Sequence, residues 1–119
     1  MALIDTAQIS GLTRFLDAAS ARHRAITTNI ANVDTPGYRT RDVDFRSVLQ
    51  QAGIPGMMET SATPQTREVE GLMERPDGNN VSMERESLLL AQTQLQFHTG
   101  VQLLRSEFRR VMTAITEGK

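Results

Sequence analysis

The chain contains no cysteine and no tryptophan, and aromatic residues make up only 4% of its 119 residues. Without thiols there is neither a disulfide framework nor a thiolate metal site. With so few rings the material for a compact core is thin, so partners are expected to complete the fold. Charge of one sign is also missing: 13 basic residues face 14 acidic ones, for a formal net charge of -1. A sequence-independent grip on nucleic acid needs a concentrated basic surface, and none is present. The charges that exist are mildly segregated, with an acidic stretch over 59–86 and a basic one over 87–119. Their simplest reading is ordinary solvated surface. Leu88-Leu89-Leu90-Ala91 is too short to span a bilayer, which argues against membrane insertion. Met1 to Gln8 lacks the basic start and apolar run of a secretory signal peptide. By sequence alone the chain therefore reads as soluble and unsecreted.

What is present is periodicity. Ile9, Leu12, Leu16, Ala19, His23, Ile26, Ile30 and Val33 recur at alternating steps of three and four, the spacing that keeps one seam of a helix facing a partner helix. A helix is expected over about 6–33, with Asp5 or Thr6 as its cap. At the other end Leu90, Gln94, Phe97, Val101, Leu104, Phe108, Val111 and Ile115 repeat the same steps. A second helix is expected from about Ser82 to Glu117. Glu84 and Glu86 in its first turn and Arg109 and Arg110 toward its end suit the helix dipole, and Gly118 suits its exit. The expected fold is mainly α: two long terminal amphipathic helices form an antiparallel or crossed coiled-coil pair. The chain reads as one domain over 1–119, divided into a helix at 6–33, a turn and extended or flexible middle at 34–80, and a helix at 81–117. Leu88, Leu95, Leu103 and Met112 lie off the seam, so the apolar surface is wider than one helix pair can cover. The isolated monomer is therefore expected to be partly disordered and to gain stable helix among other subunits.

The middle carries weaker signals. Val43 and Phe45 alternate as in a short strand or extended segment. Residues 50–80 hold three Pro and four Gly with no sustained period, as in a loop. Val69 and Leu72 are candidates for a short strand before Asp77-Gly78, a pair suited to a positive-φ hairpin connection. Chemistry is hard to find. Asp42 and Asp44 have no third ligand near them in sequence, His23 and His98 stand alone, and Asp77-Gly78-Asn79-Asn80 lacks the later acid of a calcium loop. No serine or threonine has a readable His/Asp context. No catalytic, cofactor-binding or metal-binding residue and no small-molecule substrate is expected.

The first periodic stripe stops at Asn29-Ile30-Ala31-Asn32-Val33-Asp34-Thr35-Pro36-Gly37-Tyr38. Pro36 supplies the fixed φ and Gly37 the positive φ of a type II turn, so the chain must leave the helical path. This ordered string, following one amphipathic helix, resembles the N-terminal signature of the flagellar rod, hook and hook-associated axial proteins. Arg41-Asp42-Val43-Asp44-Phe45, together with the segment from Asp77 to Glu86, is similar to the proximal rod members of that family. An acidic residue is usual in those members where this chain has Ser82, and the central segment here is short.

The resemblance implies a structural subunit of the periplasmic proximal rod, exported through the flagellar type III apparatus without a cleaved signal. It implies self-association, with other rod proteins, the MS-ring/rod junction protein and the export gate as partners. Asn29, Ile30, Asn32, Thr35, Pro36, Gly37 and Tyr38 then set the chain reversal. Ile9, Leu12, Leu16, Ile26, Ile30, Val33, Leu90, Phe97, Val101, Leu104, Phe108, Val111 and Ile115 form the assembly seams. The alternative is a soluble coiled-coil adaptor or export chaperone, which would be a stable helical dimer when dilute.

Overall fold

In the computed structural model, residues 6–52 and 64–117 are described. The Asp5 cap, the Gly118 exit and the 53–63 part of the expected loop lie outside them. The element order is α1 (Thr6–Ala31), β1 (Arg41–Val43), α2 (Phe45–Ala52), β2 (Thr66–Glu68) and α3 (Met83–Glu117). The molecule extends 68 × 27 × 17 Å, with a radius of gyration of 18.2 Å. A compact chain of this length would have about 13–14 Å. The excess follows from α3, whose 35 residues make a rod about 52 Å long.

α1 and α3 form an antiparallel pair, as the two seams predict. Gln8 Nε2 donates to Glu107 Oε1 at 3.0 Å near one end of the contact, and Asn29 Nδ2 donates to Glu86 Oε2 at 3.2 Å near the other. Between them Gly100 lies against Leu16 and Phe15. The centre of the contact is made of small and polar residues. α1 buries Ala18, Ala19, Ala21, Ala25 and Ile26, while α3 buries Glu86, Thr93, Gly100 and Val111. Glu86, Thr93 and Gly100 follow one another at seven-residue intervals, the repeat that holds a helix face on a straight partner line. Small side chains there bring the two backbones close.

The segment after the signature departs from the extended reading. β1 and β2 pair antiparallel with Arg41 opposite Glu68, Asp42 opposite Arg67 and Val43 opposite Thr66. From Phe45 the chain turns into α2, because Asp44 Oδ1 accepts from Ser47 N at 3.3 Å and so caps a helix start. Phe45 then packs edge-on to Phe15 at 5.3 Å between centroids, and the Arg22 guanidinium sits 5.7 Å from the same ring. Val43 and Phe45 therefore belong to different elements. β2 ends at Glu68 and so contains neither Val69 nor Leu72, although Val69 N still donates to Thr40 O at 2.9 Å, one step past the ladder.

Candidate functional site

The hairpin of α1 and α3 is closed by a polar junction in which the signature string is one half. Tyr38 N donates to Thr35 O at 3.2 Å and Gly37 has φ 76°, so Thr35-Pro36-Gly37-Tyr38 forms the expected positive-φ turn. The other half is Arg75–Asn79. Gly78 N donates to Arg75 O at 2.9 Å, Arg75 N donates to Asn79 O at 2.8 Å, and Gly78 has φ 88°. This is a three-residue hairpin loop with a left-handed Gly. The two turns lie against each other: Gly37 N donates to Asp77 O at 2.9 Å, and a Cβ on Gly78 would come 3.3 Å from Gly37 Cα.

Asn79 and Asn80 fasten the halves together. Asn79 Nδ2 donates to Asn32 O at 2.9 Å, Val33 O at 3.1 Å and Thr35 O at 2.8 Å. One buried amide thus ties down three carbonyls of the turn that follows α1. The Arg75 guanidinium reaches Val33 O as well. Asn80 Oδ1 accepts from Thr40 N at 2.6 Å, and Thr40 Oγ1 donates to Asn80 O at 3.2 Å. The sequence pattern shows Asp77-Gly78-Asn79-Asn80 as a turn alone. It does not show that this turn fastens the one that follows α1, some 45 residues earlier. Two Asn side by side after Asp-Gly were the only sequence signal for that.

A second polar layer lies beneath. Asn29 Oδ1 accepts from Tyr38 Oη at 2.9 Å and Arg41 N at 3.1 Å; its Nδ2 donates to Arg41 O at 2.8 Å and to Glu86. Asn29 and Glu86 are both buried. Arg85 Nη1 holds the other Glu86 oxygen at 2.9 Å, and Arg85 Nη2 lies 3.5 Å from Asp42 Oδ2. Arg22 grips Asp42 with two bonds of 3.0 Å, a bidentate guanidinium–carboxylate pair. The path Asn29, Glu86, Arg85, Asp42, Arg22 and then the Phe45 ring joins α1, α3, β1 and α2. Asp42 is thus a structural carboxylate, and Asp44 pairs with Arg67. Among the described residues there is no cluster of three or more groups able to hold a metal.

Burial pushes the Tyr38 phenol above its ordinary value; the positive charge of Arg41 works against this and the negative charge of Glu86 adds to it. A raised acid pKa means the stabilisation is fully present below about pH 10 and is lost as pH climbs through the folded value. Tyr38→Phe also deletes the bond to Asn29 and should lower stability by about 1 kcal/mol at neutral pH. In urea titrations across pH 8–11, the variant should lose the part of the alkaline decline that belongs to Tyr38.

The predicted seams fall in two places. Of the first seam, Ile26 is buried, Ile9, Leu12, Leu16 and Ile30 are half-buried and His23 is exposed, while Val33, also half-buried, lies in the turn past the end of α1. In α3, Val111 is buried and Leu90, Val101 and Leu104 are half-buried, whereas Phe97, Phe108 and Ile115 are exposed. The α3 stripe therefore runs along the flank of the helix contact. Periodicity of large apolar residues found that flank and missed the true centre, Glu86, Thr93 and Gly100, because none of these three is a large hydrophobe. Among the described residues, no helix is long and apolar enough to cross a membrane.

The chain is thus a long helix hairpin tied at Asn29–Tyr38 and edged with exposed apolar side chains, and a family described as flagella basal body rod protein matches residues 7–39. The match covers α1 and the signature turn. Over most of its length the chain is similar to flagellar basal body rod proteins FlgB. It is 30% identical to that of Salmonella typhimurium over 122 aligned positions, covering 87% of this chain and 88% of the relative. It is 28% identical to that of Bacillus subtilis, covering 93% and 95%. With that of Cereibacter sphaeroides the identity is 35%, covering 79% and 82%. The chain belongs to the FlgB family of flagellar basal body rod proteins.

Proposed function

We propose that this chain is a subunit of the proximal rod, packing with copies of itself and with other rod proteins into a helical tube that transmits torque and encloses the export channel. The observation that carries the reading is the apolar flank of α3. Phe97, Phe108 and Ile115 stay exposed although α1 already lies on the same helix. Large apolar side chains left in water along one line mark an interaction surface. Open helical assembly uses such surfaces head to tail. The junction at Asn29–Tyr38 supplies rigidity, since two turns and two helix ends share one hydrogen-bond network.

On this reading the partners include the MS-ring/rod junction protein and the export gate, the location is the periplasmic part of the basal body, and export proceeds without a cleaved signal. The role is mechanical, with no catalytic step. Phe108 is the informative position, because its ring is half exposed in the monomer. Phe108→Asp should leave helix content in dilute solution unchanged and abolish incorporation into basal bodies, with loss of swimming, because a charge would be buried at a subunit contact. Normal motility in cells producing this variant at wild-type level would overturn the assignment of the α3 flank to assembly.

A further inference from the structure

Asp77 and Gly78 form the chain's single Asp-Gly pair, and no Asn-Gly pair is present. An aspartyl bond to glycine is unusually open to attack by its own backbone, because glycine has no Cβ to shield the nitrogen. From the protonated carboxyl, Gly78 N bonds to Asp77 Cγ, and the hydroxyl leaves as water with the amide proton. Water then opens the resulting ring at the Asp77 backbone carbonyl carbon, breaking its bond to Gly78 N. The chain now runs through Cβ and Cγ, the former backbone carbonyl is a free carboxylate, and the mass is unchanged.

The Asp77 side chain is 41% accessible, so exposure alone would leave this bond reactive. The folded junction instead holds the reacting groups. Gly78 N donates to Arg75 O at 2.9 Å, Asp77 Oδ1 accepts from Asn79 N at 3.0 Å, and Asp77 O accepts from Gly37 N at 2.9 Å. The loop geometry places Asp77 at the third position of a type I turn, where ψ is near 0°, whereas ring closure brings Cβ and Gly78 N into line, a rotation of about 120° away. That rotation swings Asp77 O off Gly37 N. The facing turn resists it, because Gly78 lies against Gly37 and Asn79 is buried with its amide on three carbonyls of that turn.

We propose that Asp77-Gly78 is a site of spontaneous isoaspartate formation gated by this junction. A chain whose junction is open converts, and a folded chain is protected. The change locks itself in. One extra backbone atom lengthens the Arg75–Asn79 loop, and the carbonyl that received Gly37 N becomes a pendant carboxylate, so a converted chain does not rebuild the junction. The modification therefore marks chains that have spent time unfolded and withholds them from any assembly that needs the closed hairpin.

The full-length parent is held at neutral pH in buffer, in sub-denaturing guanidinium chloride and fully unfolded. Isoaspartate is read by peptide mapping with an endoproteinase that cleaves before Asp and not before isoaspartate. Conversion at Asp77 should be about a hundredfold slower in buffer than in the unfolded chain, because the open fraction sets the rate. Between these limits it should rise in step with hydrogen exchange at the Gly37 amide, with Asn29→Ala on the same line. Equal rates in buffer and in the unfolded chain would overturn the proposal. So would conversion that stays flat while Gly37 exchange rises, which would mean that the hairpin protects itself without the junction. After ageing unfolded and refolding, the converted fraction should keep fast exchange at Gly37, whereas Asp77→Glu, which would need a six-membered ring, should age without that change. Converted chain that refolds with Gly37 protected as in the parent would sink the self-locking step.

Discussion

Asn29→Ala should be the most damaging single truncation in the chain, lowering stability by about 3–5 kcal/mol. The side chain makes four hydrogen bonds, two accepted by Oδ1 and two donated by Nδ2. Alanine removes all of them at once, strands the Arg41 N–H, and leaves the buried Glu86 carboxylate with Arg85 alone. A buried charge that loses a partner costs far more than a surface ion pair contributes. Against the roughly 5–15 kcal/mol that holds a typical domain together, such a loss is large. Chemical denaturation of the variant should show a midpoint well below the parent value. Hydrogen exchange should show the 34–42 backbone opening first. Exchange in that segment equal to the parent's would mean that the junction is not organised by Asn29.

Gly100→Leu should separate the two helices. A Cβ at this position would lie 2.7 Å from Leu16 Cδ2 and 3.1 Å from the Phe15 ring, so even alanine forces a readjustment. For alanine the two effects oppose each other. Replacing a mid-helix Gly gains about 1 kcal/mol in helix propensity, whereas overpacking costs about 1–3 kcal/mol. Leu16 can yield because its methyl is the end of a flexible side chain, so Gly100→Ala should fall near zero. Leucine adds three carbons beyond alanine's methyl where there is no room, and the expected loss is about 3 kcal/mol. The displaced Phe15 would also leave Phe45, so α2 should loosen together with the hairpin. Thermal melts of the pair of variants test this directly, and a leucine variant as stable as the alanine one would refute the close contact.

Helices α1 and α3 were legible in the chain, and with them the turn at Thr35–Tyr38. A stripe of large apolar residues at steps of three and four has few other physical readings, and Pro-Gly at the end of one forces the backbone out of the helix. The residues at the centre of the contact were not legible in the same way. Ala18, Ala25, Thr93 and Gly100 are small or polar, and a pattern built on hydrophobicity passes over them even though close packing selects them. Glu86 reads as a first-turn acid suited to the helix dipole, and it is instead fully buried against Asn29. α2 escaped because Asp42-Val43-Asp44-Phe45 alternates like a strand, and only the Asp44 cap and the Phe15 ring turn residues 45–52 into a helix.

The amino-acid sequence by itself determined that two amphipathic helices flank a turn, that no thiol chemistry is built in, and which family signature the turn carries. These are local properties, set by spacing and by the backbone preferences of Pro and Gly. Only the tertiary structure decided that Asn79 and Asn80 fasten the segment that follows a helix far upstream, that Asp42 is held by arginines from two helices, and which apolar residues remain in water. Hydrogen bonds between residues 40 to 57 positions apart, and burial against a neighbouring helix, leave no period in the chain from which they could be read.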